Sequence, residues 1–239
     1  MRDAVLAAEA AGYGVMWVID HLAGQVMGGD SMHECFTLVG ALAASTTTIG
    51  IGTLVANVWN RPCAVLAVAA ATAQNIAEGR FWLGIGAGAS PTSPYGAEHA
   101  AVGIELSAGM AVRHERIDQF MSIARTMWST GVIEGVTGFP QPVTPIPVMF
   151  GVNSIALALK AAEHAEAINV RANHPRLAEI IEAARNARPA GRAPLSITTW
   201  TRTSPELRDP SSADRRRYEA MGIDRLILVQ FDRADPNQL

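Results

Sequence analysis

Short, mostly apolar runs alternate along the chain with longer stretches in which apolar positions recur every three or four residues. The runs are Val15 to Ile19, Ile49 to Val55, Phe81 to Gly86, Pro147 to Phe150, Ala167 to Val170, Leu195 to Trp200 and Arg225 to Val229. Apolar runs of this length without polar alternation predict strands buried on both faces, as in a parallel sheet. The stretches Met1 to Ala11, Cys35 to Ser45, Ala64 to Ala77, Arg113 to Trp128, Ser154 to Ala165, Pro175 to Ala187 and Asp214 to Met221 predict helices. In the fourth of these, Ile117, Phe120, Met121, Ala124 and Met127 share one face. Gly12 and Gly222 stop helices, and Pro62 stands near the start of one, where a missing N–H costs little. Gly24 to Ser31 and Ala87 to Gly103 read as loops, and the Gly- and Pro-rich stretch Gly131 to Pro145 has room for a small hairpin.

Strict alternation of buried strand and helix means α/β architecture with a parallel sheet under helical cover. A doubly wound open sheet and a closed barrel both satisfy it. Length and strand count favour a TIM-barrel type, (β/α)8, built as one domain over residues 1–239. The barrel is expected to be incomplete, with about seven strands. The sequence opens on the helix that should follow a first strand, so that strand is expected to be absent. The residues after Val229 are too few for a closing helix.

A net charge of −3 gives no electrostatic reason to expect nucleic acid or an anionic membrane as partner. The cluster Arg215 to Arg217 falls on a predicted helix and reads as a solvated face. The longest run of small apolar residues, Ala64 to Ala73, is about half of what a bilayer crossing needs. Charges at Arg2, Asp3 and Glu9 interrupt any signal-peptide core. Cys35 and Cys63 lie among apolar helix residues without a CxxC motif, so a reducing, cytoplasmic setting is expected.

Ligands of parallel barrels sit at the carboxyl ends of the strands, and four such ends stand out. Asp20-His21 follows the first run; a histidine there can exchange a proton near neutrality, or the pair can simply cap a loop. Thr53-Leu54-Val55-Ala56-Asn57 is by itself only a strand running into a loop. Gly84-Ile85-Gly86-Ala87-Gly88 removes side chains at alternate positions, which would let a flat ring approach the backbone. It lacks the spacing of a dinucleotide fingerprint. Gly151-Val152-Asn153-Ser154 is a strand-to-helix turn whose free amides suit an anion, or a plain N-cap. His33-Glu34 and His114-Glu115 each lack the second histidine of a zinc motif, and no metal site is expected. Trp17, Trp82 and Trp200 lie in strands, where core packing is the favoured reading.

Several of these segments together resemble the bacterial luciferase-like monooxygenase family. The resemblance rests on Ala10 to His21, on Gly50 to Asn57 with Arg61-Pro62 and Ala64 to Ala67, on Gly79 to Gly88, and more loosely on Pro147 to Ser154. It is continuous over about residues 4 to 90 and patchy beyond. It implies a (β/α)8 barrel that binds FMN or the deazaflavin coenzyme F420, and the Asp20-His21 ending leans towards F420. Asp20 and His21 would lie at the reactive face of the ring. Thr53, Leu54, Val55 and Asn57 would back it, with a cis peptide at Thr53-Leu54. Gly86, Ala87, Gly88 and Ala89 would line it, and Gly151, Val152, Asn153 and Ser154 would take a phosphate. The chain departs from the family in three ways. Ala89 and Ser90 stand where some deazaflavin members carry an acid, the insertion between Val170 and Leu195 is reduced, and the first strand is expected to be absent. The expected function is hydride transfer between F420 and a small organic substrate by a homodimer. The alternatives are an FMN-dependent monooxygenase and a non-catalytic, dimeric relic of the barrel.

Overall fold

The computed structural model describes residues 1–230; the tail read as too short for a closing helix lies, from residue 231, outside the described residues. The chain divides into two compact units, Met1–Pro147 and a second from Val148 onward.

In the first unit α1 (Arg2–Ala10) leads to β1 (Val15–Val18), α2 (Cys35–Ser45), β2 (Gly50–Thr53), β3 (Ala56–Asn57), α3 (Cys63–Ile76) and β4 (Phe81–Gly86). A short α4 (Gly96–Ala101), the long α5 (Met110–Thr130) and a hairpin of β5 (Val132–Ile133) and β6 (Val136–Thr137) complete it. β1 and β4 flank β2, and β3 lies against β4, all in parallel register. The core is the apolar set the pattern predicted: Ile51, Leu66, Phe81, Leu83, Ile85, Ile117 and Phe120 are all fully buried. Each such side chain contributes about 1.5–3 kcal/mol relative to exposure.

Three expectations need correction here. The run Ile49 to Val55 is not one strand: pairing with β1 ends at Thr53, and pairing resumes at Ala56 against Ile85 of β4. The loop Ala87 to Gly103 contains α4, whose core Gly-Ala-Glu-His-Ala-Ala has helix formers but no apolar period. α5 begins three residues earlier than predicted and runs on to Gly131, whose φ of +67° closes it in the left-handed conformation glycine tolerates.

Two polar latches fasten the amino ends of the strands. Glu9 Oε1 accepts the amides of Thr47, Thr48 and Ile49 at 2.9, 2.6 and 3.0 Å, together with the Thr48 hydroxyl at 2.9 Å. Those amide bonds hold the Glu9 carboxyl at a pKa of about 2. Arg80, just before β4, donates to the carbonyls of Ala43, Thr46 and Ile49.

The second unit holds β7 (Val148–Gly151), α6 (Ile155–His164), β8 (Ala167–Arg171), α7 (Leu177–Asn186), β9 (Ser196–Arg202), α8 (Pro205–Arg208), α9 (Ala213–Ala220) and β10 (Arg225–Val229). Its four strands pair in sequence order, all parallel. Leu177, Ile180, Ile181 and Ala184 form the buried stripe of α7. Ser154, Ser204 and Ser212 cap α6, α8 and α9 by accepting an amide three residues on. α8 was not predicted, because four residues carry no period.

The tryptophans are not core residues. Trp17, Trp82 and Trp200 are each half-buried, and the Arg171 guanidinium stacks 5.4 Å above the Trp200 ring. Large rings can lie along a strand with one face covered and the other open. Among the described residues, no helix is long and apolar enough to cross a membrane.

Candidate active site

The carboxyl ends of β1, β3 and β4 are tied together by polar side chains. Asp20, two residues beyond β1, is 5% exposed, and both its oxygens are engaged. Arg61 grips it with two parallel bonds, Nη1 to Oδ2 at 2.8 Å and Nη2 to Oδ1 at 2.9 Å. The Asn57 amide adds a third at 2.9 Å, and Asn60 Nδ2 donates to the Asp20 carbonyl. Arg61 also pairs with Glu34, which caps α2, and stacks 4.9 Å from the Phe36 ring. Burial works against the Arg61 charge, but the bonds and charges of Asp20 and Glu34 outweigh it and raise its pKa. Asp20 is thus a fork that joins the end of β1 to β3 and to the start of α3.

His21 points elsewhere. Its Nδ1 lies 2.7 Å from Glu98 Oε1, and its ring tilts against Tyr95 at 5.2 Å between centroids. The Glu98 side chain is 1% exposed, while that of His21 is 27% exposed. The second carboxylate oxygen of Glu98 accepts the amides of Leu22 and Ala23 at 2.7 and 2.9 Å. Burial alone would raise the Glu98 pKa; the bonds from His21 and from the Ala23 and Leu22 amides outweigh it and hold the carboxyl below its ordinary value. An ionised Glu98 accepts a hydrogen bond from His21 Nδ1–H, which fixes that tautomer and leaves Nε2 as the ring's other nitrogen. Among the described residues no hydrogen bond occupies that Nε2.

His99, next in sequence, is buried in a polar nest. Its Nδ1 is 3.0 Å from the Tyr95 carbonyl, and its Nε2 is 2.8 Å from both Asn57 Nδ2 and Asn60 Oδ1. Through His99 and Asn57 the α4 segment is joined to the same fork that holds Asp20.

In the segment Thr53 to Asn57 the cis peptide lies one bond beyond its expected place. Thr53 is fully buried and donates its hydroxyl to the Gly84 carbonyl at 2.6 Å. The cis peptide stands at Leu54-Val55, not at Thr53-Leu54. Leu54 still belongs to the ladder, its amide donating to the Val18 carbonyl at 2.8 Å, so the change of direction falls one bond later.

The glycines at the β4 end leave room for neighbouring side chains. A Cβ on Gly86 would stand 2.7 Å from Val55 Cγ2, and one on Gly88 would stand 2.7 Å from Asn57 Oδ1 and 2.8 Å from Trp59 Cδ1. Their missing side chains admit Val55, Asn57 and Trp59 rather than leaving an open face. Gly88, at φ +77°, also turns its carbonyl to Arg113 of α5, 2.9 Å away. Ala87 is buried, and Ala89 is half-buried at the rim.

In the second unit, Gly151 ends β7, and Val152 is buried with its amide bonded to the Asn169 carbonyl at 2.8 Å. Asn153 is exposed, and Ser154 Oγ caps α6 through Leu157 N at 3.3 Å.

Of the residues singled out in the sequence, Asp20, His21, Asn57, Gly86 and Gly88 are brought into one connected set by these bonds and contacts, while Thr53 is tied separately to Gly84. Arg61, Tyr95, Glu98, His99 and Arg113 were missed. A carboxylate and a histidine side by side in the loop after a glycine-rich strand end were the available signal for two of them. No cluster of three or more metal-ligating side chains occurs among the described residues.

Comparison with known proteins places these observations in a family. The chain is 24% identical over 196 residues to the 5,10-methylenetetrahydromethanopterin reductase of Methanolobus tindarius, covering 80% of this chain and 56% of the relative. It is 32% identical over 126 residues to the pyrimidine monooxygenase RutA of Allorhizobium ampelinum, covering 48% of this chain and 33% of that protein. The chain therefore spans between a third and somewhat over half of these relatives. A solved F420-dependent secondary alcohol dehydrogenase, in complex with an F420–acetone adduct, superposes with a TM-score of 0.76 over 99% of this chain and 90% of that one, at 17% identity. That likeness shows the fold, an α/β architecture of incomplete TIM-barrel type with seven main parallel strands. Residues 1–236 match the model that defines the luciferase-like monooxygenases, and the chain belongs to that family.

Proposed function

We propose that the protein is an oxidoreductase that works with coenzyme F420 on a small organic substrate. The observation that carries this reading is His21, held through Nδ1 by the buried, ionised Glu98, with Nε2 left to exchange a proton. The coenzyme would supply hydride transfer, and the protein would supply position and a proton. In this reading His21 Nε2 gives or takes the substrate proton, and Glu98 fixes the ring's tautomer and orientation. Asp20, with both oxygens engaged, is a positioning residue rather than a proton carrier. Thr53, Leu54, Val55, Asn57 and the backbone of Gly86 to Ala89 are the proposed ring-binding wall. Gly151, Val152, Asn153 and Ser154 are the proposed phosphate-holding turn.

The acid missing at Ala89-Ser90 was one ground for a non-catalytic relic. Glu98 removes that ground, because it brings a carboxylate to His21 from nine residues beyond Ala89. An FMN-dependent monooxygenase is the second reading, supported by the likeness to pyrimidine monooxygenase RutA. We further propose a homodimer in a reducing, cytoplasmic setting. It is supported by the exposure of Val65 and Ile76 on α3, 52% and 42%, beside Phe36 and Gly40 of α2, and by two buried free thiols, Cys35 and Cys63.

Titration of the purified chain with oxidised F420 and with FMN tests the assignment. Saturable binding of F420 below millimolar concentration, without FMN uptake, is expected. Binding of FMN alone would transfer the assignment to the monooxygenase reading, and binding of neither would end both. Sedimentation at micromolar concentration tests the dimer.

A further inference from the structure

Arg113 stands beside the β4 end, and the proposed chemistry makes no use of it. It is 8% exposed. Its Nη1 donates to the Gly88 carbonyl, its Nη2 contacts Met110 Sδ, and its Nε has no partner. No carboxylate pairs with it among the described residues. A buried cation is normally compensated by an anion. This one also sits at the fourth residue of the 21-residue α5, where the positive end of the helix dipole disfavours a cation. Neither packing nor pairing accounts for a charge in that place.

What the guanidinium does hold is one peptide. The Gly88–Ala89 bond is trans, so its N–H is antiparallel to its C=O. With the carbonyl drawn towards α5, the Ala89 N–H must face the opposite way. That amide has no acceptor among the described residues. A cation on the carbonyl polarises the peptide and strengthens the opposite N–H as a donor.

We infer that Arg113 is a positioning residue that fixes the Gly88–Ala89 peptide, so that Ala89 N–H donates to a ring oxygen of the bound coenzyme and favours its reduced form. This rests on the coenzyme reading given above. When bound and reduced, the coenzyme would carry more negative charge on its ring oxygens than when oxidised. A donor backed by a buried cation therefore gains most in the reduced state.

The test uses Arg113→Met and Arg113→Lys in the full chain. In ligand-free protein, the Ala89 amide resonance of Arg113→Met should shift and exchange faster with solvent, and Arg113→Lys should restore most of the wild-type behaviour. With coenzyme, Arg113→Met should weaken reduced F420 by about tenfold more than oxidised F420, the size expected for losing a charge-backed hydrogen bond. Arg113→Lys should recover most of that ratio. An unchanged ratio in a folded variant, with wild-type protein still binding F420, would overturn this inference alone. Wild-type protein that binds neither form would overturn the coenzyme reading and this inference's second half, while the Ala89 amide still decides the first. If Arg113→Met does not fold, the same two readouts on Arg113→Lys decide, and wild-type values for both would overturn the inference.

Discussion

His21 Nδ1 and Glu98 Oε1, 77 positions apart in sequence, stand 2.7 Å apart, and the other oxygen of the same carboxylate carries the amides of Leu22 and Ala23. One buried anion thus sets both the histidine ring and the start of the loop after β1. On the proposed reading, Glu98→Gln leaves His21 without the anion that orients it, and hydride transfer should fall by about 100-fold, the lower range for loss of acid–base catalysis. Coenzyme binding should change by only a few-fold. Steady-state kinetics beside a binding titration separates the two. Equal losses in both would instead mark Glu98 as a fold element.

Arg61 and Asp20 form a buried bidentate pair, their side chains 13% and 1% exposed. Arg61→Met leaves the Asp20 charge buried without its partner and should cost about 3–5 kcal/mol. Urea unfolding of the single variant and of the double variant with Asp20→Asn checks this. The double variant should be the more stable of the two, because it also removes the stranded charge.

Gly88 and Gly103 share a φ of +77°, yet only Gly88 would bring a Cβ against neighbours. Gly103→Ala should cost about 1 kcal/mol, the conformational share. Gly88→Ala should cost clearly more, because Asn57 and Trp59 must also give way. Unfolding midpoints of the two variants measure the difference, and equal midpoints would show that the β3 end yields freely.

Glu9 has a folded pKa of about 2 against an ordinary 4.5. A depressed carboxyl stabilises fully above the unfolded value, and the benefit fades as pH falls from 4.5 through about 2. Glu9→Gln should therefore be less stable than wild type at neutral pH, with the gap closing across that window. Thermal midpoints recorded at neutral pH and at about the folded pKa test the sign. A gap that widened on acidification would contradict it.

The α/β class was legible because short strand-forming runs around Ile51, Phe81, Phe150, Ile168 and Ile197 alternate with helical stretches, and those five side chains are fully buried. Asp20 and His21 stood out because ligands of parallel folds sit at strand ends, whereas Asn57 was singled out only through the family resemblance. The split of β2 from β3 was not, since a change of pairing partner leaves no trace in hydrophobic pattern. Glu98 and His99 escaped for a related reason. They lie on six residues of helix inside a loop, and their partners are set by long-range contacts from His21, Asn57 and Asn60. Arg113 read as the polar start of an amphipathic helix, because nothing local shows that the Gly88 carbonyl will meet it.

The latches of Glu9 and Arg80 lie at the opposite rim of the first unit's sheet from His21 and Glu98. In the proposed reading, robustness and reactivity therefore belong to opposite ends of the same sheet. Thermostabilising changes around Thr47 to Ile49 and Arg80 should come without loss of turnover, an uncommon freedom for an enzyme engineer, who usually trades one against the other.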